Sequence, residues 1–262
     1  MAASEQRKVE EQLFHDQLRG LRQSDPEYGF YTSNQRFYSI TRASRTFVRA
    51  WLQSRCVGKR VLDYGCGSGD MSFFCAERGA ETVGIDISET SVQNARAEAG
   101  RRGIADRSRF LVMDCEATGF NDGEFDLVCV SGVLHHLDLR RAFAEIARVL
   151  RPRGEVICHE PLAHNPVFSW YRRMTPHLRT AWEADHLITR QSLALAGEYF
   201  GRVEARCFHL ISLAAVPFRS LPIFLPLLSV LERVDSVALS WPAVKWLAWQ
   251  VVFTLSEPKL AA

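Results

Sequence analysis

Short apolar runs alternate with amphipathic segments through the middle of the chain. The runs have the length and composition of buried strands and lie at residues 60–64, 82–85, 110–113, 125–130 and 154–159. Helical patterns separate most of them, at residues 70–78, 89–102 and 139–150. Strands that alternate with helices predict βαβ units, and therefore a mainly parallel sheet with helices on both faces.

The flanks of this region have other patterns. Residues 5–23 and 41–53 carry apolar positions at helical spacing, whereas residues 24–34 contain proline and glycine and are predicted to be a loop. Residues 161–192 show no clear period. Two later runs, at 203–210 and 250–255, are predicted strands.

Two apolar stretches near the C-terminus, residues 210–231 and 236–255, are each about as long as a membrane-spanning helix. Both contain a charged residue and proline, which breaks helices, so we predict short apolar helices instead of spans. A lid or a dimer face is the favoured role. The tryptophans within residues 241–249 keep a contact with a membrane surface open as an alternative.

The loop after the first predicted strand, in the stretch VLDYGCGSGD, contains Gly65, Gly67 and Gly69. Glycines let the backbone turn tightly and let a ligand approach the main chain. A dinucleotide loop would place its third glycine at position 70, which is Asp70 here. Asp63, two residues before the loop, would repel a pyrophosphate and favour a ligand with a cationic group.

Acidic residues also follow the next two predicted strands. Asp86, followed by Ile87, can accept hydrogen bonds from both hydroxyls of a ribose, in a nicotinamide or an adenosyl ligand alike. Asp114, followed by Cys115, is placed to accept a hydrogen bond from an adenine amino group. An isolated aspartate after a strand more often caps a turn, but three acids at successive strand ends favour one shared site.

Together these blocks resemble the class I S-adenosylmethionine-dependent methyltransferases. The matching blocks are VLDYGCGSGD, VGIDIS, MDCE, FDLVCVSGVLHHL and VLRPRGEVICHEPL, in order over residues 61–162. The resemblance implies an α/β fold with a Rossmann-like, doubly wound sheet of seven strands, the last antiparallel. It places Asp63, Gly65 and Ser131 near the methionine part of S-adenosyl-L-methionine, Asp86 near the ribose, and Asp114 with Cys115 near the adenine.

We expect one domain with four parts. These are a helical N-terminal cap (1–53), a cofactor-binding core (54–160), a lid or acceptor insert (161–200) and final strands with an apolar helical insert (201–262). The expected reaction is in-line transfer of a methyl group to oxygen or carbon of a small, lipophilic acceptor. The alternatives are a non-catalytic protein or an NAD-binding protein on the same fold.

An acceptor that must lose a proton needs a base. The candidates are His135, His136 and Glu160, although a histidine here can also pack or cap a helix, and a glutamate can bond to the backbone. The segments outside the core are expected to supply the acceptor pocket. Its candidate residues are Tyr31, Tyr38, His164, Trp170 and Arg173.

Charge and cysteine content exclude other classes. A net charge of +2 offers no concentrated basic face for nucleic acid. The seven cysteines are scattered and form no CxxC pair, which argues against a disulfide framework or a zinc site and fits a reducing cytoplasm. The first residues lack the apolar run of a signal peptide. We therefore expect a cytoplasmic protein without a metal, with membrane association or a homodimer left open by the apolar tail.

Overall fold

The computed structural model describes residues 2–21, 24–25 and 27–259. Within this part of the chain, one seven-stranded sheet has the order β3-β2-β1-β4-β5-β7-β6. The strands are β1 (Arg60–Tyr64), β2 (Glu81–Asp86), β3 (Ser108–Val112), β4 (Phe125–Ser131), β5 (Leu150–Pro161), β6 (Phe200–Phe208) and β7 (Gln250–Pro258). Strand β7 runs antiparallel to both of its neighbours, while β1 to β5 pair in parallel. The fold class expected from the sequence is confirmed.

Helices cover the sheet and extend from its edge. They are α1 (Ala2–Gly20), α2 (Tyr28–Tyr31), α3 (Arg42–Gln53), α4 (Asp70–Ala76), α5 (Glu89–Arg101), α6 (Leu139–Val149), α7 (Pro166–Met174), α8 (Ala181–Asp185), α9 (Arg190–Tyr199) and α10 (Phe224–Ala238). Short 3-10 helices add Ser33–Ile40, Leu134–His136, Pro176–Leu178, Ile211–Phe218 and Lys245–Leu247.

Both faces of the sheet are buried. Successive residues of a strand point to opposite faces, so neighbouring residues enter different core clusters. Leu62 and Tyr64 of β1 belong to a core cluster that also holds Phe143 of α6. Val61, which precedes Leu62 and points to the other face, belongs to a second cluster with Leu52 of α3. Such double burial explains why the central strands appear in the sequence as nearly continuous apolar runs.

Two segments differ from the sequence expectation. Residues 24–34 contain α2 and the start of the Ser33–Ile40 turn rather than only a loop, and Pro26 lies outside the described residues. The segment after β5 forms α7, α8 and α9. Local caps start these helices, since the Asn165 side chain accepts the Phe168 N–H and Thr189 forms a capping box with Ser192.

The apolar C-terminal segment forms a 3-10 helix at Ile211–Phe218, followed by α10. Buried Asp235 of α10 accepts the backbone N–H groups of Leu210, Ile211 and Ser212, which joins the two helices. Among the described residues, no helix is both long enough and apolar enough to cross a membrane.

Candidate functional site

A cavity of about 310 Å³ lies at the carboxyl ends of the central strands. It sits where β1 and β4 are neighbours, at the point where the strand order reverses, and ligands of doubly wound sheets bind at such a point. Apart from Gly69, the residues expected to bind the cofactor line it: Asp63, Gly65, Gly67, Asp86, Ile87, Asp114, Cys115 and Ser131.

Two glycines of the loop after β1 serve backbone geometry. Gly65 has φ +73°, and a Cβ there would lie 2.3 Å from Cγ2 of Val133, so no larger residue fits. Gly69 has φ +89° and is the N-cap of α4. A Cβ on Gly69 would meet the Phe73 ring at 2.7 Å. Gly69 therefore shapes the loop from outside the cavity.

The carboxylate of Asp86 connects the glycine loop to the next helix. Oδ2 accepts the Gly67 N–H at 2.8 Å and Oδ1 accepts the Ser88 N–H at 2.9 Å. Ser88 is the N-cap of α5, as its position in the sequence predicts. Each carboxylate oxygen has a second lone pair, so Asp86 can still accept hydrogen bonds from a ligand in the cavity.

The carboxylate of Asp63 is buried against the start of α4. Its Oδ2 accepts hydrogen bonds from the Ser72 N–H at 2.9 Å and the Ser72 hydroxyl at 2.8 Å. Burial raises the pKa of Asp63 to about 6, although both hydrogen bonds favour the charged form. A cationic ligand in the cavity would stabilise the charged form of Asp63 and so lower its pKa again.

Helix α1, in the segment expected to form an N-terminal cap, covers the cavity with charged side chains that were not among the expected site residues. Arg7, Lys8, Glu11, His15 and Arg19 line the space. Lys8 Nζ lies 2.7 Å from Asp114 Oδ2, and Arg7 forms a buried ion pair with Glu116. The spacing of positions 7, 11, 15 and 19 by four residues puts them on one helical face. That polar stripe was visible in the sequence and could have indicated a lining role.

Comparison with known proteins identifies the type of domain that the core forms. A family model described as a methyltransferase domain matches residues 62–158, the part of the chain that forms β1 to β5. The chain therefore carries a methyltransferase domain of the class I S-adenosylmethionine-dependent type. The match confirms the resemblance drawn from the five sequence blocks, and it supports the enzyme class and the cofactor expected from them.

Individual relatives match this chain over part of its length. A demethylmenaquinone methyltransferase of Thermus thermophilus is 39% identical over 105 residues, covering 39% of this chain and 47% of the relative. The aklanonic acid methyltransferase DauC of a Streptomyces species is 34% identical over 146 residues, covering 51% and 66%. The chain thus spans less than two thirds of the length of either relative.

Solved structures agree on the fold over a larger part of the chain. The geranyl diphosphate C-methyltransferase of Streptomyces coelicolor superposes with a TM-score of 0.57 at 16% identity, covering 81% of this chain and 76% of that one. At this identity the likeness concerns the architecture.

Of the three candidate bases, only His136 lines the cavity. Its Nδ1 lies 2.9 Å from Oε2 of Glu11, a buried residue of α1. Burial and the neighbouring His135 lower the pKa of His136. Burial alone would raise the pKa of Glu11. Hydrogen bonds with His136, His15 and the Thr180 hydroxyl outweigh burial and hold the pKa of Glu11 well below its usual range.

His135 and Glu160 form a buried pair behind the cavity wall. His135 Nδ1 lies 2.6 Å from Glu160 Oε2, and Glu160 Oε1 accepts the N–H groups of Val133 and Leu134 at 2.8 and 3.0 Å. Burial opposes both charges, but the mutual bond outweighs it, so the pKa of His135 is raised and that of Glu160 is lowered. The pair holds the turn that carries His136 in place.

A third cavity histidine, His159, was missed by the sequence analysis, as was His15. Its Nε2 lies 2.9 Å from Oε1 of Gln250, which also accepts the Ser44 hydroxyl at 3.0 Å. His159 precedes Glu160 in β5, so the two side chains point to opposite faces of the sheet. This alternation could have indicated that His159 faces the cavity side of β5 while Glu160 faces His135.

The residues expected to form the acceptor pocket are dispersed. Tyr38 lines the cavity, whereas Tyr31, His164, Trp170 and Arg173 are not among its lining residues. Trp170 is 66% exposed on α7. The insert after β5 does reach α1, because Thr180 donates a hydrogen bond to Glu11 and the Arg7 guanidinium lies 4.5 Å from the centre of the Trp182 ring.

Two overlapping groups among the described residues have the composition of a metal site: Glu11, His15 and His136, and also His135, His136 and Glu183. Glu11, His15 and His136 each place one donor atom so that the three lie within 4.8 Å of one another. Two imidazoles and a carboxylate suit a divalent transition metal. The same three groups also compensate one another as an acid–histidine cluster. The expectation of no metal stays a prediction.

Proposed function

We propose that the chain transfers the methyl group of S-adenosyl-L-methionine to oxygen or carbon of a small, lipophilic acceptor. The observation that carries this proposal is the convergence of Asp63, Asp86 and Asp114 from three strand ends on one cavity with a glycine loop. The acids suit a cationic adenosyl ligand and oppose a pyrophosphate. The names of the relatives, a demethylmenaquinone and an aklanonic acid methyltransferase, support a small lipophilic acceptor.

In this proposal the cofactor lies along the strand ends, with its ribose on Asp86 and its adenine beside Ile87, Asp114 and Cys115. The Tyr64 hydroxyl donates a hydrogen bond to the Cys115 carbonyl, which fixes the backbone on the adenine side. At the other end, the Arg19 guanidinium lies 3.3 Å from the position of a Cβ on Gly67. Arg19 is therefore proposed to bind the carboxylate of the methionine part.

We assign the role of base, where the acceptor has to lose a proton, to His136. The Glu11 carboxylate lies beside Nδ1 of His136, so Nε2 is the nitrogen left to take the proton. Glu11 would then stabilise the imidazolium that forms. His159 faces the neutral amide of Gln250, which cannot compensate a positive charge in this way. His135 and Glu160 act as positioning residues for this turn.

The assignment of the base predicts a pH profile. Because the pKa of His136 is lowered, the imidazole is neutral and able to accept a proton at neutral pH. The rate should fall on the acid side, below the ordinary value of 6.5, as His136 becomes protonated. In His136→Ala, kcat should drop by about 10²-fold or more with little change in KM, and the acid limb should disappear. A profile that changes only in His159→Ala would instead assign the base to His159.

The activity itself is tested by incubating the protein with S-adenosyl-L-methionine labelled in the methyl group and a panel of quinols, phenols and acidic polyketides. We expect label in an organic extract of at least one reaction, with equimolar S-adenosylhomocysteine. Asp86→Ala serves as the control with an impaired cofactor site. Release of S-adenosylhomocysteine without any labelled acceptor, or no turnover across the panel, would count against the proposal.

A further inference from the structure

The outer face of α10 carries apolar side chains that cover no other part of the described chain. Val230, Val234 and Val237 recur at helical spacing, with Ile223 before the helix and Trp241 after it. These side chains are between 43% and 65% exposed. The opposite face packs inward through residues such as Leu228, which is 1% exposed. The helix is therefore apolar on two sides, only one of which serves the core.

The turn that leads into α10 adds to this surface. All seven residues from 217 to 223, PFRSLPI, are exposed. Phe218, Leu221 and Ile223 are 41%, 52% and 57% exposed. Exposed apolar side chains scattered singly are ordinary, but a continuous exposed turn beside an exposed helical stripe is not. We call residues 217–223 and the outer face of α10 with Trp241 the apolar surface.

The charges available on this surface are positive. Arg219 and Arg233 are exposed and form no ion pair with a described residue. The acids of the same segment are already engaged. Glu232 pairs with Arg42, and Asp235 is buried and accepts three backbone N–H groups. Cations interspersed with apolar side chains suit the headgroups and acyl boundary of an anionic lipid bilayer.

A second copy of the chain fits this surface less well. In an isologous dimer the same patch meets itself, so the interface would contain Arg219 and Arg233 of both copies. The surface offers no free carboxylate among the described residues to compensate those charges. A bilayer with anionic lipids has no such conflict.

We propose that the apolar surface docks the protein on an anionic lipid bilayer, with its apolar side chains at the acyl boundary and both arginines at the phosphates. The 3-10 helix Ile211–Phe218 packs against the 3-10 helix Ser33–Ile40, which carries the cavity residue Tyr38. Ile40, Ala215 and Leu228 share one apolar cluster between surface and cavity. A lipophilic acceptor would therefore leave the bilayer next to the cavity. This route for the acceptor rests on the proposed function, whereas docking on the bilayer does not.

Docking is tested by co-sedimentation of the whole chain with vesicles, without cofactor or acceptor. One set contains phosphatidylcholine alone and the other phosphatidylcholine and phosphatidylglycerol in equal parts. We expect binding to the mixed vesicles that weakens with added salt. The double variant Leu221→Ser/Ile223→Ser should lower the partition coefficient about tenfold or more. Each of Arg219→Gln and Arg233→Gln should lower it about fivefold, on the mixed vesicles only.

The matched control is Val57→Ser, which removes an apolar side chain of 67% exposure from the turn before β1 and should leave vesicle binding unchanged. Calorimetric binding of S-adenosylhomocysteine should be equal in all of these variants, because none of the changed residues lines the cavity. Absence of sedimentation with mixed vesicles would overturn the docking proposal while leaving the proposed function intact. A dimer in light scattering that Leu221→Ser/Ile223→Ser dissociates would overturn it in favour of a second copy.

Discussion

Replacing Asp86 by alanine tests how the cavity holds its ligand. In the proposed complex the carboxylate accepts two ribose hydroxyls while it keeps its bonds to the N–H groups of Gly67 and Ser88. Each hydrogen bond to a charged group contributes about 1.5 kcal/mol or more, so two contribute about 3 kcal/mol. At about 1.4 kcal/mol per factor of ten, Asp86→Ala should weaken S-adenosylhomocysteine binding about a hundredfold.

The assay is isothermal titration of S-adenosylhomocysteine into the protein and its variants. Asp86→Ala also removes the acceptor of two backbone N–H groups, so a melting curve recorded for each variant shows whether the protein still folds. Asp86→Asn keeps one acceptor oxygen and should lose less affinity than the alanine variant. Asp106→Ala, whose side chain is 75% exposed, is the matched control and should bind normally. Unchanged affinity in folded Asp86→Ala would refute the ribose role.

Three further predictions concern the buried groups around the cavity. Glu160→Gln should lower the melting temperature most between pH 4.5 and 6.5. The lowered pKa of Glu160 stabilises the fold above pH 4.5, and the raised pKa of His135 stabilises it below pH 6.5. An equal loss at every pH would contradict this prediction. Gly65→Ala should abolish cofactor binding in calorimetry, since φ is +73° and Val133 occupies the space that the new Cβ would need. Its control is Gly100→Ala, where no atom lies within 4 Å of the new Cβ, and which should leave the stability of the fold unchanged or raise it. Treatment with EDTA should leave methyl transfer unchanged, because a sulfonium methyl group needs no Lewis acid; activity lost on chelation and restored by zinc would place a metal on the Glu11 cluster.

The core of the fold could be predicted because its strands are buried on both faces and joined by short connections. The bounds of β1 at Arg60–Tyr64 agree with the apolar run, and the Ser88 cap was recognisable from its residue type. Acids at successive strand ends are local features of the sequence. The parallel topology then brings them to one edge of the sheet. For that reason the residues that line this side of the cavity could be predicted from sequence alone.

The covering elements could not be predicted in the same way, because their contacts are distant in sequence. Lys8 reaches Asp114, and Glu11 reaches His136 and Thr180, only after α1 has packed over the sheet edge. Nothing in the local pattern near position 11 indicates which strand end it will cover. The acceptor residues expected in the insert after β5 illustrate the same difficulty, since Trp170 points to solvent.

The distinction between His135 and His136 also required three dimensions. The two residues are adjacent in sequence and chemically identical, yet one is bonded to Glu160 behind the wall and the other lines the cavity beside Glu11. Sequence indicated that adjacent side chains diverge. It did not indicate which of them faces the ligand, because that depends on the turn held by the Glu160 carboxylate.

The central claim is that the cavity binds an adenosyl cofactor without phosphates. It is tested most directly by titrating the unmodified protein with S-adenosylhomocysteine and, separately, with NADH under identical conditions. The arrangement of Asp63, Asp86 and Asp114 predicts saturable one-to-one binding of S-adenosylhomocysteine and no heat of binding with NADH. Saturable binding of NADH, with none of S-adenosylhomocysteine, would contradict it.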